Sequence, residues 1–259
     1  MYRKLIPFFR ELGGGLDADA SDFITVANIT DATQQDAINQ LVLDLKSYSI
    51  WSKLEAIYPY VGGNATSHSY NLKDTSAFQI TWSGGVTHDS NGITGNGTNA
   101  YGNTNFVDSA YLTDFISFGA YSRTDSTSAV FDMGSTNGSY GNILGCKFSV
   151  NGAYAVAMDG GTQRQVTASS LGLFSANRSD ASNRAFYING TEYTYANPSV
   201  GYSGKNMYIL ARNNNDSTAD FYSARNLAFQ FIGNSLTTTE HANLNTAIQA
   251  FQTTLSRNV

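Results

Sequence analysis

Across residues 171–195 the chain reads LGLFSANRSDASNRAFYINGTEYTY, with side chains assigned alternately to two faces. Leu171, Leu173 and Ser175 fall on one side, Gly172, Phe174 and Ala176 on the other. Further on, Phe186 and Ile188 oppose Ala185, Tyr187 and Asn189. A period of two marks a half-buried strand. The polar connector 179–183 separates the two runs. Asn189-Gly190, a pair that tolerates positive φ in a type I′ turn, ends the second. Three antiparallel strands are predicted here.

The same grammar recurs. Strands are predicted at 78–82, 114–123, 129–133, 143–150, 153–158, 206–212 and 222–232, the last with Leu227, Phe229 and Phe231 on one face. Short extended pieces fill 86–106, and Asn151-Gly152 signals another hairpin. Before and after this β region the period lengthens. A short helix is predicted over 17–27, with acidic residues in its first turn. Asp31 and Gln34 open a longer one in capping-box fashion. Its apolar stripe is Ile38, Leu41, Val42, Leu45 and Tyr48, continued by Trp51, Leu54 and Ile57 towards Pro59. Thr237 and Glu240 have capping-box spacing before a last helix carrying Leu244, Ile248, Phe251 and Leu255 on one face. Arg257 sits at its end, where the helix dipole favours a cation. The division read from this pattern is an N-terminal anchoring arm (1–15), a helical lead-in packed on the sandwich (16–63), and a sandwich with a C-terminal helix (64–259).

Composition narrows the classes. Charged residues make up 14% of the 259, and the net charge is −5 with no basic block, so a nucleic-acid backbone is not an expected partner. Cys146 is the single cysteine, which rules out an intrachain disulfide. Arg10 and Glu11 interrupt the apolar start, so it does not read as a signal peptide, and no stretch reaches membrane-span length. Asn-X-Ser/Thr sequons, as at Asn64 and Asn137, read as Asn-rich turns. Within the arm, Tyr2, Leu5, Ile6, Phe8 and Phe9 are too apolar for a free tail and are the candidate anchor residues.

Three pieces together resemble a known family: ISFGAYSR at 116–123, RAFYING at 184–190, and NLAFQFIGNSLTTTEHANLNTAIQAFQTTLSR at 226–257. They resemble a concanavalin A-like, laminin-G-like jelly-roll domain. The lead-in over 29–63 looks like the version found in structural proteins of tailed bacteriophages. The resemblance spans roughly residues 17–259. It implies a mainly β fold, a two-sheet antiparallel jelly-roll sandwich with N-terminal helices and a C-terminal helix. It also implies a non-enzymatic virion component in a head fibre, capsid decoration or tail appendage. The expected partners are other virion proteins (capsid, fibre or tail), copies of the same chain (a homo-oligomer such as a trimer), and host or mucosal glycans. The alternative is a free carbohydrate-binding lectin module.

Catalytic and metal motifs fare poorly. The glutamates Glu11, Glu55, Glu192 and Glu240 are isolated, so the paired carboxylates of a glycosidase are missing from the sequence, although an acidic pair assembled in space stays open. Gly201-Tyr202-Ser203-Gly204 begins like a nucleophile elbow, but Lys205 replaces the final glycine. Gly204-Lys205 is followed by Asn206, unlike a phosphate loop. The run 95–100 fits G-x-G-x-x-A, yet no helix is predicted after it. His68, His88 and His241 are far apart in sequence, so zinc is not expected. Asn213, Asn215, Asp216 and Asp220 could supply calcium oxygens from one loop, against the simpler reading of a solvated loop. Tyr101, Tyr140 and Tyr202 are candidates for sugar stacking, against the commoner role of filler. No catalytic, metal or cofactor-binding residue is assigned.

Overall fold

The computed structural model describes residues 15–112, 115–148, 152–161, 164–216 and 218–259. Its helices are α1 (Ala18–Val26), α2 (Ala32–Ser47), α3 (Ala65–Ser69), α4 (Asp108–Tyr111) and α5 (Thr238–Thr254). Its strands are β1 (Leu54–Tyr58), β2 (Thr81–Ser83), β3 (Thr87–Asp89), β4 (Gly92–Thr94), β5 (Tyr101–Val107), β6 (Ile116–Ser122), β7 (Met133–Thr136), β8 (Gly141–Gly145) and β9 (Ala153–Asp159). They continue with β10 (Arg164–Gln165), β11 (Gly172–Asn177), β12 (Asn183–Ile188), β13 (Thr191–Ala196), β14 (Asn206–Ile209), β15 (Arg212–Asn214), β16 (Thr218–Asp220) and β17 (Asn226–Asn234).

Two sheets form a sandwich. The first runs β13-β12-β11-β6-β17-β4-β3, and β1 also pairs with β17. The second runs β10-β9-β8-β7-β14-β5-β2, with β15 joined to β7 and to β16. Pairing is antiparallel except that β15 lies parallel to β7, which makes the second sheet mixed. The chain reverses at Leu210, φ +60°, and so returns beside the strand it has just crossed.

Hydrophobic contacts divide the molecule into layers. Phe118, Phe174, Phe186 and Ile232 of the first sheet meet Phe106, Met133, Leu144 and Ile209 of the second. On the other face of the first sheet, Leu173, Phe229 and Phe231 lie under Phe23, Ile38, Leu41, Leu45, Leu244, Ile248 and Phe251 of α1, α2 and α5. The first sheet is thus covered on both sides. This corrects the half-buried reading of 171–177: all six residues of β11 are buried. The hairpin itself stands as expected, with Asn189 at φ +49° and Gly190 at +82° between β12 and β13.

Two further expectations change. The helix from Asp31 ends at Ser47, and Ser49 at φ +61° turns the chain out of it. Leu54 and Ile57 then belong to β1, where a bulge between Leu54 and Ala56 lets both face the helical layer while Ala56 and Tyr58 face the other sheet. In β17 a bulge between Leu227 and Phe229 separates residues read as one face. Leu227 enters the inter-sheet core, and Phe229 and Phe231 face the helices. That strand starts at Asn226, because Arg225 is turned inward to Asp132.

The helix starts follow local chemistry. Asp17 caps α1 through the Asp19 amide, and Thr237 with Glu240 forms a complete capping box on α5. Asp31 accepts from the Gln34 amide at 2.9 Å, but the Gln34 side-chain oxygen accepts from Gly62 N–H at 2.7 Å, so that box is only half closed. At Gly92 (φ +126°) a Cβ would stand 2.2 Å from the Leu227 carbonyl oxygen. Glycine is what lets the β3–β4 hairpin dock against β17.

Candidate functional site

Where α5 begins, the first sheet outreaches its helical cover. The His241 ring stacks on Tyr187 of β12, centroids 3.8 Å apart and planes at 14°. The next strand, β13, leaves Glu192, Thr194 and Ala196 exposed. Register sets Glu192 opposite Tyr187 and Thr194 opposite Ala185. Small side chains at Ala185 and Thr194 leave a hollow beside the helix end. Ser179, Asp180 and Asn183 wall it on one side, and Asn234, Leu236, Thr237 and Thr238 on another, to give an open groove of about 710 Å³. That volume lies within the range of about 300–1,000 Å³ usual for small-ligand sites.

The polar groups here are held in place by bonds among themselves. Thr238 Oγ1 donates to Glu192 Oε2 at 2.8 Å. Asp180 Oδ1 accepts from the Ser182 and Asn183 amides, both at 2.7 Å. Those two backbone amides hold the Asp180 carboxyl below its usual range. Glu240, beside the groove, meets Lys53 Nζ at 2.7 Å. Burial works against ionisation of Glu240, yet Lys53 and the Thr237 amide and hydroxyl keep its carboxyl low as well. Behind the wall, burial pushes His241 down to about 3, so the ring stacked on Tyr187 is neutral.

The groove unites residues that sequence reasoning left apart. Asp180 and Asn183 were part of a connector, and Glu192 was an isolated glutamate. The Asn189-Gly190 turn contains the register that places Glu192 opposite Tyr187. Nothing local announces that Thr237 and Thr238 close the groove. Asp180 and Glu192 do bring two carboxylates to one hollow. Asp180, held ionised by two amides, is a poor fit to the proton donor of a glycosidase, which needs a raised carboxyl.

The other sequence candidates disperse. The anchor residues Tyr2, Leu5, Ile6, Phe8 and Phe9 lie outside the described residues. Three of the four calcium candidates are consumed internally, and Asn215 is exposed. Lys205 pairs with Asp216 at 2.8 Å, Arg212 grips Asp220 at 2.6 and 2.8 Å, and Asn213 donates to Asp216 and Asn206. Among the described residues no group of three or more His, Cys, Asp or Glu side chains is placed to hold a metal. Tyr101 stacks on Tyr208 at 4.8 Å, Tyr202 packs on the inter-sheet core, and Tyr140 lines a smaller hollow of about 160 Å³ with Tyr154 and Arg212. Ser203 is buried between Ser135 and Asp108, and Asn96 folds the 95–100 run into a turn leading to β5. His68 and His88, distant in sequence, are in contact.

Known structures share this architecture. The chain is similar to domain 4 of AbnA, a GH43 extracellular arabinanase from Geobacillus stearothermophilus, in complex with arabinotriose. Identity is 16% and the TM-score 0.51, over 74% of this chain and 98% of that one. It is similar to a mutant Trypanosoma rangeli sialidase displaying trans-sialidase activity (10% identity, TM-score 0.54), covering 84% of this chain and 39% of the sialidase. An HCR/D mutant matches at 10% identity and TM-score 0.53, over 77% of this chain and 53% of its own. Likeness at such identities is a likeness of fold. No protein-family profile and no curated protein matches the chain. The fold is therefore a mainly β, two-sheet sandwich with N-terminal helices and a C-terminal helix.

Proposed function

We propose that this protein is a carbohydrate-binding β-sandwich module, and that the groove beside α5 receives the sugar. The observation that carries this reading is the groove itself: open, large enough for an oligosaccharide segment, and ringed by hydroxyl, amide and carboxylate groups already fixed by mutual hydrogen bonds. Such groups accept and donate to sugar hydroxyls without first being ordered, which lowers the entropic cost of binding. The arabinotriose complex of the AbnA domain, similar over 98% of that domain, supports the ligand class. Display on a tailed-phage virion, attachment through residues 1–15 and a homo-oligomeric state rest on the sequence resemblance alone; the neighbours named above lend them no support. On a particle, many copies would make weak single contacts effective.

The test is a glycan array probed with the full chain, followed by calorimetry on the hits with Asn183→Ala and Glu192→Ala. Both positions are at the groove surface, so the fold should be kept and affinity should fall about 10-fold or more for each lost polar contact. Binding unchanged in both variants would move the site elsewhere. An array with no retained glycan would end the proposal. Release of shortened saccharides by the wild type but not by Glu192→Gln would make the groove catalytic.

A further inference from the structure

The chain brings two histidines into direct contact at a corner where both sheets end. His68 lies on α3 and is buried; His88 lies on the edge strand β3 and is half-buried. Their Nδ1 atoms are 3.1 Å apart. His68 Nε2 is 3.2 Å from the Gly63 backbone nitrogen, which can only donate. A neutral imidazole has one N–H and one bare nitrogen. His68 Nε2 must therefore be bare, and its proton sits on Nδ1. That N–H donates to His88 Nδ1, which must be bare in turn, so His88 carries its proton on Nε2. One proton arrangement satisfies the whole chain of bonds, with both rings neutral. The same reasoning argues against a metal shared by the two Nδ1 atoms, because it would leave His68 with no N–H at either nitrogen.

We propose that the His68–His88 pair is an acid-sensitive clasp that holds α3, β2 and β3 together at neutral pH and releases them when His88 takes up a proton. A proton added to the pair goes to His88 Nδ1, the bare nitrogen of the less buried ring. The ring then presents an N–H to the N–H of His68, and a hydrogen bond becomes a contact between two donors. His88 must turn away, or His68 must give up Gly63. What is released is weakly held otherwise: β3 pairs with β4 over three residues only. Trp82 of β2 stands edge-on to His88 at 4.7 Å and donates from Nε1 to the Ala65 carbonyl oxygen of α3 at 2.9 Å.

The charged and titratable groups facing the pair set the range. Asp89, next to His88 on β3, favours its protonation, while burial of His88 opposes it and wins, leaving it below 6.5. Burial pushes His68 down to about 3, aided by His88 and by Arg257 from the C-terminal turn. Tyr60, edge-on to His68 at 5.7 Å, is a fully buried phenol that burial keeps neutral. Release thus falls below the ordinary histidine range and starts from His88.

Trp82 is a built-in reporter, because an imidazolium beside an indole quenches its emission. With Trp51→Phe, the chain's other tryptophan is removed. The expected result is a reversible fall in Trp82 emission centred below pH 6.5, accompanied by an increase of about 10-fold or more in Gly63 amide exchange, while amides of β6 and β17 stay protected. His88→Asn should abolish both changes. On the wild-type chain at neutral pH, nitrogen-detected imidazole spectra should show Nδ1–H for His68 and Nε2–H for His88, a readout that needs no variant to fold. The opposite tautomers would overturn the proposal. So would emission and Gly63 exchange that stay flat down to pH 4, a transition that persists in His88→Asn, or loss of Gly63 protection only together with β6 and β17. None of these outcomes depends on carbohydrate binding.

Discussion

Four arginines, Arg178, Arg184, Arg225 and Arg257, are among the largest fully buried side chains. An unpaired buried charge is expensive, so each must be surrounded by acceptors. Asp159 bridges Arg178 and Arg184 at 2.9 and 2.8 Å, across the gap between the sheets. Asp132 takes Arg225 at 3.0 Å and also accepts from Ser223 and the Cys146 amide. Arg257 donates instead to the Gln252 side chain and to the carbonyls of Pro59, Tyr60 and Ala228. Read from sequence, Arg257 was a helix-dipole partner; it is a staple from α5 to the β1–α3 connection. Asp132→Ala strands Arg225 in the core. The expected loss is about 3–5 kcal/mol in denaturant unfolding, with little change in the denaturant slope.

Histidine at the same scale makes stability depend on acid. His68 and His241 both titrate near 3 in the folded chain, against 6.5 when free, because burial disfavours the cation. Between those values the unfolded chain binds more protons than the folded one. Stability is therefore full above about 6.5 and falls as pH drops, by about 1.4 kcal/mol per pH unit for each histidine. Unfolding free energies at pH 6 and pH 5 measure that slope. His241→Gln should remove one histidine's share of it, and a slope unchanged by the substitution would place the proton uptake elsewhere.

Elements were read most securely where the signal is local. The capping box at Thr237 and Glu240, the Asp31 cap and the Asn189-Gly190 turn act within a few residues, and the structure has each start or reversal there. Thr237→Ala should destabilise the chain by about 1 kcal/mol, seen as a lower unfolding midpoint, since it opens one half of the box and loosens a groove wall. Where periodicity had to choose a partner, it misled. Leu54 and Ile57, three residues apart, extend the helical stripe of α2; pairing with β17 decides for β1, and a bulge between Leu54 and Ala56 turns both to the helices. Leu227 shares a spacing with Phe229 and Phe231 until a bulge parts them.

For the whole molecule, alternation with turn signals and helical ends specified a run of strands between terminal helices, because each depends on neighbours within a turn or a strand, and the family resemblance implied the two-sheet sandwich. The groove was not legible in that way. It arises from the offset between the start of α5 and the edge of the first sheet, where His241 stacks on Tyr187 of β12 and Thr238 donates to Glu192 of β13. The carbohydrate reading belongs to this scale, and the affinity loss expected in Asn183→Ala and Glu192→Ala tests it there. The buried arginine pairs and the His68–His88 contact have the same origin. Local chemistry along the chain determined where elements begin, turn and end, since backbone geometry and capping are satisfied over short spans. Only the tertiary structure decided which polar groups face each other, because that depends on how sheets and helices stack, and residues far apart in sequence become each other's solvent.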